Sequence, residues 1–474
     1  MLYRVIKISI CATFLFSILA LVAVDARARD NHAILVGAAT YTNLDERLWL
    51  VGPTNDVDLV REFLLSSDTV PFEERNIAVL ADGIEGAMAP TLGAIRQAMA
   101  DLTERVNPGD FVYLHFSGHG SQMPARDPNS ELDGLDEIFL PVDIGPWNDT
   151  VGEVPNALVD DEIGEMIQGL RARGASVWAV FDACHSGTVT RAAPTDDEVR
   201  LRRLPPSALS VPEDMMDGVQ TRAVQTRAVQ DPRARAEAPF DAAGDEGSFV
   251  AFFAAQTNET TPEKRLPRGK PGRRSQGVFT FTLLETLAAN PGITYRQLGQ
   301  EVLRRYSTEN LARSTPMFEG DLDSPVFAIG GVDPVRQWPV RAEDGLLKIG
   351  AGSLHGMNAG SVLALMNAPT DETADAIGYA SVTRSGAMTS DLAPVAHDGK
   401  AAVAMKDVPN GAYLRKIDEA ISFGMQVALP ENGSEIAVAL QPAMPLLEDL
   451  LTEARISLVP AGQPADLRLG GPPD

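Results

Sequence analysis

Two short polar motifs in the chain contain side chains that could perform covalent catalysis. Ser117-Gly-His119-Gly120 follows the apolar run 111–116, and Asp182-Ala-Cys184-His185-Ser186-Gly187 follows the apolar run 176–181. A cysteine thiol becomes an effective nucleophile for acyl transfer when an imidazole can take its proton. We therefore predict that Cys184 is the nucleophile and His119 the base. His185 adjoins the nucleophile on the same loop and cannot approach it from the opposite side.

The stretches around these motifs alternate between β-rich and helical patterns. We predict strands at 33–37, 77–80, 111–116, 176–181 and 249–253, and helices at 55–65, 91–102, 160–170 and 280–289. Such alternation predicts an α/β fold with a mostly parallel sheet sandwiched between helices. Ligands in such sheets bind beyond the carboxyl ends of the strands. Since each motif ends a strand, His119 and Cys184 are expected to face one cleft, with His115 inside its strand as a packing residue.

The composition of the chain excludes some classes of function and of site. The chain has 474 residues, 44% of them apolar, which suggests two or three domains with ample core material. It carries 40 Lys and Arg against 65 Asp and Glu, a formal charge of −25. Such a surface repels phosphate backbones and argues against a nucleic-acid partner. Only two cysteines are present, which excludes a disulfide framework and a Cys-rich zinc site.

Residues 1–28 have the pattern of a secretory signal. Arg4 and Lys7 precede an apolar run at 8–24, and Ala26 or Ala28 would be the last residue removed. The alternative is an uncleaved membrane anchor, since 17 apolar residues are at the short limit for a spanning helix. Cleavage predicts an exported protein, periplasmic or secreted, with no membrane attachment. Cys184 would then be the lone cysteine of the mature chain.

Three further regions follow the signal. We predict a catalytic domain at 29–331, with a flexible insertion at 192–247 that is rich in Pro, Ala and charged residues and contains a tandem Thr-Arg-Ala-Val-Gln repeat. Short strands with Gly, Asn and Pro turns predict a β-rich accessory region at 340–474. The last part of that region either completes the β-rich domain or leads into a further module cut short by the end of the sequence.

The two motifs together, 65 positions apart and each at the end of a strand, resemble the caspase-like cysteine peptidases, specifically the bacterial metacaspase type. The resemblance extends over roughly residues 31–328. It implies a Cys–His dyad without a required third residue. It also implies an oxyanion hole formed by the backbone N–H groups of Gly120 and Cys184.

The resemblance further implies cleavage after Arg or Lys in protein or peptide substrates. Asp56, Ser117 and Asp182 match the positions that form the acidic pocket of such enzymes. Paired carboxylates can bind a guanidinium bidentately. For Asp56 alone, a carboxylate favoured at a helix start is the alternative.

Self-cleavage is expected in the arginine-rich insertion, leaving a second piece that begins near Phe249. The arginines concerned are Arg202, Arg203, Arg222, Arg227, Arg233 and Arg235. The alternative is that the insertion is a passive linker whose arginines offset nearby acids.

No cofactor is required by the dyad, and calcium is the one metal to consider. Asp136, Asp160 and Asp161 match three aspartates that bind Ca²⁺ in relatives, whereas the fourth position falls near Arg191, which cannot ligate a cation. The alternative is that these aspartates are solvated loop and helix-cap residues.

Two other functional readings stay open. One is a peptidase of the same broad clan, legumain- or clostripain-like, which the Cys-His-Ser-Gly sequence argues against. The other is a catalytically silent caspase-fold domain used for protein interaction, although such domains usually lack the histidine or the cysteine that this chain retains.

Overall fold

The computed structural model describes residues 29–66, 70, 72–126, 134–184, 199–216, 246–256, 259–269, 271–328, 335–417, 425–431, 433–442, 456–461 and 467–468. The chain divides into two compact units at residues 334 and 335. The expected signal at 1–28 lies outside the described residues. Within the described ranges, no helix combines the length and the apolar character that a membrane span needs.

The first unit contains twelve strands and five α-helices in its described residues. The strands are β1 (Asn31–Gly37), β2 (Ile77–Ala81), β3 (Phe111–Ser117), β4 (Gly120–Pro124), β5 (Leu135–Phe139), β6 (Leu158–Val159), β7 (Ser176–Asp182), β8 (Arg200–Leu201), β9 (Phe249–Phe253), β10 (Pro262–Leu266), β11 (Arg274–Gly277) and β12 (Met317–Gly320). The helices are α1 (Gly52–Ser66), α2 (Leu92–Arg105), α3 (Asp160–Ala172), α4 (Val278–Ala289) and α5 (Tyr295–Thr308).

Six of these strands form the central sheet, in the order β12-β9-β7-β3-β1-β2. All neighbours pair in parallel except β12, which is antiparallel to β9. Successive residues of β1 point to opposite faces, so that Ile34 packs with α2 and α3 whereas Leu35 packs with α1, α4 and α5. Helices thus cover both faces of an apolar, mostly parallel sheet. The predicted α/β fold class is confirmed.

The register of the sheet brings the two sequence motifs together. Strands β3 and β7 are neighbours, and Ser117 is paired with Asp182 at their carboxyl ends. The residues that follow, including His119 and Cys184, therefore start from the same edge of the sheet. Two small antiparallel sheets lie in the same unit, one of β4, β5 and β6, the other of β8, β10 and β11.

The prediction of a flexible insertion over 192–247 is wrong for residues 199–216. Arg200 and Leu201 form β8, which pairs antiparallel with β10. Leu204, Leu209 and Val211 are buried in the hydrophobic core. Apolar side chains spaced through a Pro-rich segment are enough to anchor it, which overall composition does not reveal. Residues 217–245, which include the tandem repeat, lie outside the described residues.

The second unit is β-rich, as predicted. Its strands are β13 (Gln337–Pro339), β14 (Arg341–Glu343), β15 (Leu346–Ile349), β16 (Val362–Met366), β17 (Gly378–Ser385), β18 (Ser390–Val395) and β19 (Tyr413–Lys416). These form one antiparallel sheet in the order β13-β19-β16-β17-β18-β15-β14. A smaller parallel sheet, in the order β21-β20-β22, follows. It consists of β20 (Met425–Ala428), β21 (Ile456–Val459) and β22 (Leu467–Arg468), with helix α6 (Glu435–Leu440) between its first two strands.

Candidate active site

Two hydrogen bonds, one from its backbone and one from its ring, hold His119 after the end of β3. Its backbone N–H donates to the Tyr41 hydroxyl at 2.9 Å, and that hydroxyl donates to the Ala38 carbonyl at 2.9 Å. Ring atom Nε2 donates to the Leu48 carbonyl at 2.7 Å, which leaves Nδ1 as the basic nitrogen of the neutral ring. Among the described residues Nδ1 has no hydrogen-bond partner. The Leu48 carbonyl is thus an orienting group that sequence reasoning missed.

Cys184 lies directly after β7 and is buried. Its Sγ accepts a hydrogen bond from the Thr261 N–H at 2.6 Å. Burial raises the pKa of the thiol to about 12, despite the opposing hydrogen bond from Thr261. Burial also lowers the pKa of His119 to about 4, against the effect of its hydrogen bond to Leu48. Both groups are therefore neutral near pH 7, and no hydrogen bond between them occurs within the described part of the chain.

The two predicted oxyanion-hole groups point at the same atom. The N–H of Gly120 and the N–H of Cys184 donate to the carbonyl oxygen of Arg202 at 3.3 and 3.2 Å. The Arg202 N–H in turn donates to the Thr261 carbonyl at 3.0 Å, and the Leu204 N–H donates to the Gly120 carbonyl at 3.0 Å. A peptide carbonyl thus lies between two converging backbone donors beside the cysteine.

The three residues predicted for the acidic pocket all contact the guanidinium of Arg202. Nη2 lies 2.6 Å from Asp56 Oδ2, and Nη1 lies 3.1 Å from Asp182 Oδ2. Ser117 Oγ accepts from Nη1 at 2.8 Å and donates to Asp56 Oδ2 at 2.8 Å. The side chains of both aspartates and of Arg202 have no solvent exposure. The structure therefore brings the three predicted pocket residues together around one cation.

A third carboxylate, Glu263, belongs to the same cluster. Its Oε2 lies 3.8 Å from Arg202 Nη2, and its oxygens accept from the N–H groups of Val51 and Gly52 at 3.1 and 2.9 Å. Sequence reasoning missed Glu263 because it stands alone in β10 with no motif around it. Only the pairing of β10 with β8 places it beside the pocket.

The pocket has more negative charge than one guanidinium can balance. Burial raises the pKa of Asp56 to about 6, the Arg202 cation opposes this rise, and the Asp182 charge adds to it. For Arg202, burial lowers the pKa, but the surrounding carboxylates outweigh burial and raise it overall. The guanidinium therefore stays charged, and the Asp56 carboxylate takes up a proton on mild acidification.

Two glycines leave room for the guanidinium of Arg202. A Cβ on Gly52 would lie 2.5 Å from Arg202 Nη2, and a Cβ on Gly277 would lie 2.6 Å from Nη1. Real Cβ atoms essentially never come so close to another heavy atom, so a side chain at either position would displace the cation. The Gly277 N–H also donates to Asp56 Oδ1 at 2.9 Å. Both glycines are thus needed for close approach of backbone to the bound group.

Comparisons with known proteins point to one family. The profile of the metacaspase peptidase C14 domain matches residues 31–193. This part of the chain is similar to the metacaspase peptidase domain. Metacaspase-4 of Arabidopsis thaliana is 33% identical over 138 residues, which cover 29% of this chain and 30% of that protein. Metacaspase-1 of Pyricularia oryzae is 26% identical over 281 residues, which cover 56% of this chain and 66% of that protein.

Other matches have similar extents. Metacaspase-2 of Arabidopsis thaliana is 37% identical over 161 residues, covering 34% of this chain and 35% of that protein. The chain thus spans about a third of the length of several curated metacaspases that it matches. Among solved structures, a protein of Geobacter sulfurreducens aligns with a TM-score of 0.39 and 22% identity, covering 61% of this chain and 93% of that chain.

Among the described residues of the first unit, the three aspartates considered for calcium do not form a compact donor set. Asp136 is buried and accepts a hydrogen bond from the Arg126 N–H at 3.1 Å, and burial raises its pKa. Asp160 and Asp161 lie in the first turn of α3, where the helix dipole favours acidic residues. Within the described ranges, only Asp30, His32 and Asp110 bring three possible ligand atoms within 4.8 Å of one another.

His115, which lies in the strand just before the first motif, is a packing residue, as its place in the strand suggests. His115 is buried in β3, with Nδ1 3.2 Å from the Tyr113 hydroxyl and Nε2 3.4 Å from the Thr280 hydroxyl. Burial lowers its pKa to about 4. His185 and Arg191 lie outside the described residues.

Proposed function

We propose that this protein is a cysteine endopeptidase that cleaves after Arg or Lys through Cys184 and His119. The observation that carries the proposal is a guanidinium held by Asp56, Asp182 and Glu263 while the carbonyl of the same residue accepts two hydrogen bonds beside the cysteine. A peptidase needs both recognition features at the residue that precedes the scissile bond. The similarity to metacaspases supports the cysteine peptidase chemistry. The negative charge of the pocket supports cleavage after Arg or Lys.

In the proposed mechanism, His119 Nδ1 takes the thiol proton and Cys184 Sγ attacks the scissile carbonyl carbon. The Leu48 carbonyl keeps Nε2 protonated and so directs the ring to act through Nδ1. The N–H groups of Gly120 and Cys184 stabilise the oxyanion, and one such donor is worth about 3–4 kcal/mol in a site closed to water. His119 then protonates the leaving amine, and water hydrolyses the thioester.

Specificity follows from charge in the pocket. Arg fits best because its planar guanidinium can contact two carboxylates at once, whereas Lys offers a single ammonium. An acidic side chain would meet three carboxylates and be repelled. We therefore expect Arg to be preferred to Lys, and Asp or Glu to be rejected.

The test compares peptides that differ only in the residue before the scissile bond, namely Arg, Lys, Ala and Asp. Cys184→Ser and His119→Ala should each lower kcat/KM by several orders of magnitude, because each removes a member of one catalytic unit. His355→Ala, in the second unit, is the matched control and should keep the wild-type rate. Activity in Cys184→Ser above about a hundredth of wild type would exclude the thiol mechanism.

Covalent labelling by an arginyl chloromethylketone gives an independent readout. Labelling of the wild type that is lost in Cys184→Ala supports the proposal. A wild type that neither labels nor cleaves any basic peptide, with or without calcium, would instead favour a silent interaction domain.

We also propose that the protein is exported. The basic start, apolar run and small residues within 1–28 support this. A mature chain that begins after Ala26 or Ala28 in the periplasm or medium would agree with it, and a chain that keeps Met1 in the membrane fraction would contradict it.

A further inference from the structure

Three side chains with metal-ligating atoms meet at the amino ends of two neighbouring strands. His32 lies in β1, Asp30 directly precedes β1, and Asp110 directly precedes β3. One ligand atom from each lies within 4.8 Å of the other two, and His32 Nε2 lies 3.5 Å from Asp110 Oδ2. Two ligand atoms of a tetrahedral metal bound at about 2.0–2.1 Å are roughly 3.4 Å apart. His32 and Asp110 thus already have the spacing that a shared ion requires.

The pairing of β1 with β3 explains why these side chains converge. Asn31 is paired in parallel with Phe111. The residues before each of them, Asp30 and Asp110, are therefore neighbours, and the Asp30 N–H donates to Asp110 Oδ1 at 3.0 Å. Side chains two positions apart along an extended chain point to the same face, which puts His32 on the same face as Asp30. The backbone of the two strands thus fixes all three positions.

His32 is the residue that indicates a ligand at this place. It is only 5% exposed, and among the described residues neither Nδ1 nor Nε2 has a hydrogen-bond partner. Buried polar groups are nearly always hydrogen-bonded, because their lost hydration is otherwise uncompensated. Burial lowers the pKa of His32, although the Asp110 charge opposes this, so the ring is neutral near pH 7 and keeps a lone pair. A metal ion beside Nε2 would use that lone pair.

Backbone donors fix the orientation of Asp110. Besides the bond from Asp30 to Oδ1, Oδ2 accepts from the Asn107 N–H at 2.9 Å. Burial raises the pKa of Asp110, but the hydrogen bonds from Asn107 and Asp30 outweigh burial and bring the pKa below its usual value. The carboxylate therefore stays charged beside His32. Hydrogen bonds of this kind to a carboxylate orient it as a metal ligand.

We propose that Asp30, His32 and Asp110 form a Zn²⁺ site at the amino end of the central sheet. One imidazole nitrogen with two carboxylate oxygens suits Zn²⁺, whereas Ca²⁺ takes oxygen ligands. Asp30, the only partly exposed member of the three, closes the site on its solvent side. Asp110 and Ser117 are separated by roughly 20 Å of strand. The ion would therefore join β1 to β3 and take no part in the reaction at Cys184.

The first experiment titrates Zn²⁺ into the full chain carrying Cys184→Ala, so that the catalytic thiol cannot bind the metal and the outcome does not depend on peptidase activity. The protein is first dialysed against EDTA, and bound metal is measured by mass spectrometry after equilibrium dialysis. We expect one Zn²⁺ per chain and a melting temperature raised by about 5 °C or more at saturation, because only the folded chain holds the three ligands together. A parent chain that binds no Zn²⁺, or that releases it to an equal concentration of Ca²⁺, would overturn the inference.

Substitutions in the same background locate the site. His32→Gln removes the imidazole and should weaken Zn²⁺ binding at least about tenfold and abolish the rise in melting temperature. Asp30→Ala removes the partly exposed ligand, should act in the same direction, and provides the test if His32→Gln does not fold. His397→Gln, in the second unit, is the matched control and should bind Zn²⁺ as the parent does. Binding in His32→Gln or Asp30→Ala that equals the parent's would place the metal elsewhere and overturn the inference.

Discussion

Removal of the pocket's cation should destabilise the chain in a pH-dependent way. In Arg202→Gln, three buried carboxylates lose a partner that lies 2.6, 3.1 and 3.8 Å away. Loss of one member of a buried ion pair typically costs about 3–5 kcal/mol of unfolding free energy. We expect a loss of this size at pH 8, well above the pKa of Asp56, because the three carboxylates then lack the guanidinium that they contact in the parent.

Part of that loss should be recovered on acidification. Burial already raises the pKa of Asp56 to about 6 in the presence of Arg202, and removal of the cation raises it further. When folding raises the pKa of a carboxyl group, the free energy of unfolding falls as the pH rises towards that pKa. The difference between variant and parent should therefore shrink between pH 8 and pH 6, by up to about 1.4 kcal/mol per pH unit.

The assay is urea unfolding at both pH values in a Cys184→Ala background, which prevents self-cleavage. Arg200→Gln is the matched control, because Arg200 is an exposed arginine of the same strand and should cost less than about 1 kcal/mol. Equal effects of the two substitutions at pH 8 would refute the ion-pair reasoning. A cost for Arg202→Gln that is the same at pH 6 and pH 8 would refute the part assigned to Asp56.

Three further predictions concern the pocket, the core and the metal. Gly277→Ala should lower kcat/KM on Arg peptides at least 100-fold, since its Cβ would meet Asp182 Oδ2, whereas Gly164→Ala, with nothing near its Cβ, should keep the rate. Burial lowers the pKa of His115 to about 4 in the folded chain, so the free energy of unfolding should fall as the pH drops from 6.5 towards 4. Urea unfolding of His115→Gln should lack this pH-dependent contribution. EGTA should leave the rate on an Arg peptide within twofold; a tenfold loss restored by Ca²⁺ would instead support a calcium site.

The fold class could be predicted because it depends on local patterns. Apolar runs at 111–116 and 176–181, separated by helical periodicity, are enough to indicate parallel strands covered by helices. A motif at the end of each run then identifies Cys184 and His119 as the candidate pair. The three pocket positions came only from the resemblance to a family, since no local spacing links Asp56 to Asp182.

The contents of the cleft depended on contacts that no local pattern encodes. Arg202 stands in a Pro-rich segment that composition marks as flexible, yet it binds Asp56, which lies 146 positions earlier. Glu263 and the Leu48 carbonyl enter the site in the same way. The pairing of β8 with β10 places Glu263, and a short 3-10 helix, Glu46–Leu48, brings the Leu48 carbonyl beside His119. Side-chain and backbone partners this distant in sequence are chosen by tertiary packing, so only the folded chain decides that its own arginine fills the pocket.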